Sequence, residues 1–224
     1  MMKYLRKIED LGISGGMAKW YDKNSRTSRM AELAAYARDI SSLIGKADKK
    51  PNILEVAPGP GYISIELSKL GNYAITGMDI SADFVDISRA NAKRENADVN
   101  FIQGNVSNMP FMDASFDFLF CSAAFKNFHD PAQALREMYR VLKPGGKGLI
   151  IDMNRNASDA ALKAVVNDMK LRGFDRFFMS LTFRFFLRNG AYTDAEFESL
   201  LAASGFSSWN IEERGIGLYV LMNK

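Results

Sequence analysis

Two glycines and two acids in the first half of the chain stand out by their spacing. Gly59 and Gly61 lie in the turn Glu55-Val56-Ala57-Pro58-Gly59-Pro60-Gly61, between a short apolar run and a helical one. Glycine has no side chain and tolerates positive φ, so a turn of this kind lets a ligand approach the backbone closely. A nicotinamide fingerprint would need a third glycine where Ser64 stands, and the Gly-Lys-Ser/Thr of a phosphate-binding P-loop is absent. Glu55 lies on the strand before the turn. Asp79 ends the next strand about 20 residues beyond the glycines, the separation at which an acid in a doubly wound sheet holds ribose hydroxyls. A carboxylate suits a diol because it accepts from two donors at once.

Farther along, Lys126, Asn127 and His129 share one loop after a strongly apolar run. His129 is the only histidine. A lone histidine is more often structural than catalytic, yet only its unperturbed pKa lies near neutrality, which makes it the candidate general base. Lys126 and Asn127 are candidate acceptor contacts, with a solvated loop as the plainer reading. Cys121 is the only cysteine, which excludes internal disulfides, thiolate zinc sites and Cys-x-x-Cys redox chemistry, and no metal site is recognisable.

The elements that must position these groups follow a strand-helix alternation. Strands are expected at Asn52–Ala57, Tyr73–Asp79, Val99–Gln103 and Phe116–Cys121, the last apolar enough to be buried on both faces of a parallel sheet. A fifth runs from Gly148 to Met153. Helices follow Gly61, Ser81 as cap, and Asp130-Pro131, where Ala134, Leu135, Met138 and Leu142 form one stripe broken by Lys143-Pro144-Gly145-Gly146. Thr193 with Glu196 forms a capping box for a helix to Ala203. Ser207–Arg214 and Ile216–Met222 form a terminal antiparallel hairpin. The fold class expected is α/β, a doubly wound, mostly parallel sheet of seven strands.

At 224 residues, 47% apolar and 25% charged, the chain has the composition of one globular domain. Its net charge of +3 is spread among intermixed acids, so no nucleic-acid partner is expected. The N-terminus lacks a signal-like apolar core, and no uncharged stretch reaches about 18 residues, so a cytoplasmic location is expected.

The ordered blocks Leu54–Gly61, Gly77-Met78-Asp79-Ile80-Ser81, Gly104-Asn105-Val106 with Met109-Pro110-Phe111, Ser115-Phe116-Asp117 and Arg140–Gly146 resemble those of class I S-adenosylmethionine-dependent methyltransferases. The resemblance covers roughly 52–153. It implies S-adenosylmethionine as cofactor and S-adenosylhomocysteine as product. It places the methionine moiety near the backbone of Ala57, Gly59 and Gly61, with Glu55 near the amino group and Asp79 on ribose. Ile80 would pack on adenine, Asn105 and Val106 would face its edge, and Ser122 would line the amino-acid end. The usual first glycine of the loop is Ala57 here, tolerable at negative φ, and the usual aspartate at the adenine edge is Asn105.

The block from Asn105 to Phe111 and the Leu-Lys-Pro-Gly-Gly turn look most like the ubiquinone and menaquinone biosynthesis type, which implies a small, apolar or aromatic methyl acceptor. Related chains cover the cofactor with a preceding segment, so Tyr21, just ahead of a helical run from Arg29 to Leu43, is a candidate neighbour of the sulfonium. The phenylalanine-rich stretch Gly173–Arg188, with Phe178 and Phe186, reads as a packed helix pair or as an apolar lid that also suits contact with a membrane surface. The organisation expected is a helical cap over 1–50, a cofactor core over 51–153, a lid over 154–190 and a C-terminal helix and hairpin over 191–224. The rival reading is a cofactor-binding scaffold without turnover.

Overall fold

The computed structural model describes residues 12–45, 49–168 and 190–224. Seven strands, β1 (Asn52–Val56), β2 (Ala74–Asp79), β3 (Val99–Gln103), β4 (Phe116–Ser122), β5 (Leu142–Met153), β6 (Ser208–Arg214) and β7 (Gly217–Asn223), form one sheet. Their order is β3-β2-β1-β4-β5-β7-β6. Strands β1 to β5 pair in parallel, and β7 runs antiparallel to both β5 and β6. The order reverses between β1 and β4, the switch point at whose carboxyl edge open α/β sheets bind ligands.

Helix α1 (Gly15–Asn24) passes through a π-helical turn at Ser25–Arg29 into α2 (Met30–Ile44). The core helices are α3 (Tyr62–Ser68), α4 (Ala82–Arg94) and α5 (Pro131–Val141). Helices α6 (Asp159–Asp168) and α7 (Asp194–Ala202) follow β5. Local chemistry sets their starts: Ser81 accepts from the Phe84 amide, Asp130 from that of Gln133 ahead of Pro131, and Thr193 with Glu196 closes a full capping box.

The side chains of β4 alternate between two apolar layers. Leu119 and Cys121 pack with Leu135 and Met138 of α5 and Phe197 of α7, whereas Phe118 and Phe120 pack with Leu33, Ala37 and Ile40 of α2. Two expectations are corrected. Lys19–Asp22, expected ahead of the first helix, lies inside α1, because contacts of Tyr21 and Asp22 with the core outweigh the weak helix propensity of Gly15 and Gly16. The Lys143–Gly146 turn is a bulge within β5 rather than a break before it: Leu142 already pairs with Phe116, and pairing resumes at Lys147 opposite Phe118.

Candidate cofactor site at the carboxyl edge

Asp79 closes β2 at the edge of the switch point. It is 6% exposed, and its two carboxylate oxygens accept from the backbone amides of Gly59 and Ser81, both at 2.9 Å. Burial pushes its pKa up, while these amides and that of Ile80 pull against the rise. A carboxylate offers about four lone-pair sites, so acceptor capacity remains beyond these amides for a diol hydroxyl. Gly59, at φ +55°, has room beside its Cα: a Cβ there would meet only Tyr21 Cε1, at 3.9 Å.

Tyr21 comes from α1. Its ring meets Phe84 edge-on at 5.8 Å, and its hydroxyl accepts from Arg29 Nη1 at 3.1 Å. Asp22 holds the helix down by accepting from the Tyr62 hydroxyl at 2.8 Å and from Asn91 Nδ2 at 2.9 Å. The same Asn91 nitrogen donates to the Pro60 carbonyl, which ties α1, the turn and α4 together. Ahead of α1, the chain crosses so close to Ile80 that a Cβ on Gly12 would stand 2.8 Å from Ile80 Cγ2. Part of the Ile80 side chain expected against adenine is therefore covered by the protein's own chain.

Glu55 lies on β1 behind the turn and is 2% exposed. It accepts from both the amide and the hydroxyl of Ser64 on α3. Burial, opposed by those two donors and helped by the Asp79 charge, pushes its pKa up to about 8. The chain therefore holds Glu55 protonated at neutral pH, and an ammonium group beside it would favour ionisation.

The two remaining residues of the turn depart from expectation. Ala57 has φ +56°, not the negative value that would make alanine comfortable there, and a left-handed alanine costs about 1 kcal/mol. Gly61, at φ +80°, donates its amide to Pro58 and accepts from Ile65, so its backbone is committed to the turn and to α3. A Cβ on Gly61 would lie 2.6 Å from Phe101 Cζ, so close packing against β3 by itself requires glycine here.

On the far side of Asp79, the Gly104 amide donates to the Asp79 carbonyl at 2.9 Å, which sets Asn105 and Val106 beside the site. Asn105 is exposed, and its side-chain oxygen accepts from Ser107 N at 2.9 Å; one lone pair is left for an adenine amine. Val106 packs against the core. Ser122 closes β4 opposite Ile151, followed by Ala123 at φ +56°.

Lys126 is neither solvated nor directed at an open site. Its ammonium donates to Asp152 Oδ1 at 2.9 Å and to the Ala123 carbonyl at 2.8 Å, with side chains 10% and 1% exposed for Lys126 and Asp152. This buried pair fastens the loop after β4 to the end of β5. Asn127 and His129 are exposed on the same loop, next to the Asp130 cap. Phe178 and Phe186, with the rest of the expected lid, lie outside the described residues.

Sequence reasoning missed Ser64, Asp22, Asn91 and Asp152. Ser64 carried a signal, because a polar residue between Ile63 and Ile65 on a helix facing the sheet needs a buried partner. The others are joined across 69 residues or 26, separations no local pattern reveals.

This sheet order, with its reversed β7, is that of the Rossmann-like methyltransferases. A crystal structure of an S-adenosylmethionine-dependent methyltransferase from Aquifex aeolicus superposes with a TM-score of 0.66 at 18% identity, covering 95% of this chain and 98% of that one. The plantazolicin methyltransferase BamL, solved with S-adenosylhomocysteine and a triazolic desmethylPZN analog, gives 0.69 at 16% identity over 92% and 89%. Residues 54–150 match the methyltransferase domain family. A demethylmenaquinone methyltransferase of Chlorobaculum tepidum is 35% identical over 114 residues, 50% of this chain and 46% of the relative. The Bdellovibrio bacteriovorus enzyme named ubiquinone/menaquinone biosynthesis C-methyltransferase UbiE is 32% identical over 136 residues, 60% and 57%. Over this region the chain is thus similar to a methyltransferase domain and to enzymes named demethylmenaquinone and ubiquinone/menaquinone biosynthesis methyltransferases. It spans about half the length of the curated relatives it matches.

Proposed function

We propose that the chain binds S-adenosylmethionine at the carboxyl edge of β1 and β2 and transfers its methyl group to a small apolar or aromatic acceptor, such as a reduced quinone of the kind named for its relatives. The observation that carries this reading is the Asp79 carboxylate, buried, oriented by the Gly59 and Ser81 amides, and flanked by open space at Gly59 under Tyr21.

In this reading Asp79 holds the ribose diol, and Glu55 accepts from the amino group and gives up its proton as the cation arrives. Tyr21 closes the site over Gly59, with its oxygen or ring face near the sulfonium. Ile80, Asn105 and Val106 flank the adenine, and Ala57 and Ser122 flank the methionine end. When bound, the cofactor supplies an electrophilic methyl carbon and its own leaving group. The protein's task is to orient the acceptor atom in line behind that carbon and to keep water out. Segment 1–50 acts as the cap and 154–190 as the acceptor-side lid. His129, on the exposed loop, is the base if the acceptor must lose a proton.

Incubating the full chain with methyl-labelled S-adenosylmethionine and a panel of acceptors that includes reduced demethylmenaquinone tests the reading. Label transfer with release of S-adenosylhomocysteine is expected. Cofactor binding without turnover on any acceptor would favour the scaffold reading instead.

A further inference from the structure

Helix α1 has an outer face that the cofactor cap does not use. Among the described residues four large apolar side chains are strongly exposed, and two of them, Met17 at 65% and Trp20 at 58%, sit three residues apart on this helix. Leu70 and Met112, the other two, stand singly on separate loops, as scattered surface apolar residues commonly do. Met17 and Trp20 share one side of α1, because positions three apart are neighbours on a helix surface. Lys19 and Lys23 are exposed beside them, and Arg26 follows in the π-helical turn.

The exposed charges of α1 itself, Lys19 and Lys23, are both basic. The single acid in α1, Asp22, is turned inward to Tyr62 and Asn91. Asp83 of α4, exposed at the start of α1, accepts from the Gly15 amide at 2.6 Å. What α1 offers to solvent is therefore a tryptophan and a methionine bordered by cations. Tryptophan favours the headgroup level of a bilayer, where an apolar ring and an N–H donor are both accommodated, and basic side chains beside it are drawn to anionic lipid.

We propose that the outer face of α1, through Met17 and Trp20 with Lys19 and Lys23, docks the chain on an anionic lipid surface. The helix is fixed to the core through Asp22 and Tyr21, so docking holds the carboxyl edge of the sheet at a set distance from the bilayer. The consequence for methyl transfer, that an apolar acceptor can enter from the lipid, rests on the function proposed above; the docking itself does not.

The test uses the full chain without methyl donor. The chain has two tryptophans, so Trp209→Phe leaves Trp20 as the only one. On vesicles of phosphatidylcholine containing phosphatidylglycerol, Trp20 emission is expected to shift to the blue and to be quenched by brominated acyl chains, and on phosphatidylcholine alone much less. Each lysine near an anionic surface contributes about fivefold in partitioning, so Lys19→Gln with Lys23→Gln should lose about 25-fold, and added salt should mimic the loss. Met17→Ser with Trp20→Ser should abolish co-sedimentation while leaving the melting temperature within a few degrees. Unquenched Trp20, or unchanged sedimentation of the Met17→Ser, Trp20→Ser variant, would overturn the proposal. So would a dimer in vesicle-free solution that this variant abolishes, since the face would then belong to a second copy of the chain.

Discussion

Replacing Glu55 by glutamine should make the cofactor-free protein more stable at pH 8 than the parent, and the difference should vanish toward pH 4.5. Glu55 is buried against β1, and its pKa is lifted from 4.5 to about 8. The folded chain therefore holds this proton more tightly than the unfolded chain, so unfolding releases a proton within that window and stability falls as pH rises through it. Below 4.5 both states are protonated, and above about 8 both are ionised, so the difference is flat outside. About 3.5 units at about 1.4 kcal/mol each give up to about 5 kcal/mol at the plateau. Glutamine keeps the shape and the acceptor for Ser64 but cannot ionise, so subtracting the two profiles isolates Glu55 from every other titrating group. For a chain of this size about 5 kcal/mol corresponds to about 10–20 °C in melting temperature. Paired thermal or urea melts from pH 4.5 to 8.5 give the comparison. A difference that does not grow with pH would refute the assignment of Glu55 as a buried neutral acid. With S-adenosylmethionine present, the parent's affinity should rise with pH up to about 8, and that of Glu55→Gln should not.

Three further substitutions test the frame of the site. Ala57→Gly should raise stability by up to about 1 kcal/mol, because glycine relieves the left-handed φ of +56° at less cost in unfolded-state entropy than it recovers; equilibrium urea unfolding measures it. Gly61→Ala should destabilise by about 3 kcal/mol, since it combines φ +80° with a Cβ 2.6 Å from Phe101, and Phe101→Leu should restore part of the loss if packing is the reason. Lys126→Ala should cost about 3–5 kcal/mol by stranding the Asp152 carboxylate in the interior, whereas Lys126→Met with Asp152→Leu should recover most of it; calorimetric melts of the single and double variants decide between an anchor and a surface pair.

The strands and most helix starts were legible because their signals are local. The apolar run ending in Cys121 marked the central strand, and Ser81, Asp130 and Thr193 announced caps that hold in the structure. The grouping of the turn after Glu55 with Asp79, which proposes the site, was legible because it, too, follows chain order. Long-range contacts were not. That Gly61 packs against Phe101 of β3 is set by the tertiary fold, and no local pattern contains that information. Lys126 looked like a loop cation because its partner, Asp152, lies a strand away. Lys19–Asp22 read as a segment ahead of the first helical run because the contacts of Asp22 with Tyr62 and Asn91 that hold α1 to the core are long-range.

The central claim is that Asp79 and the turn before it bind S-adenosylmethionine. Its most direct test is thermal denaturation of the parent and of Asp79→Ala, each titrated with S-adenosylmethionine and with S-adenosylhomocysteine. At a hundredfold excess over the dissociation constant, one bound ligand stabilises by about 2.7 kcal/mol, a rise of about 5–10 °C here. The parent should show that rise with both ligands and Asp79→Ala should show little. Equal stabilisation of the two proteins, or none of the parent, would contradict the account.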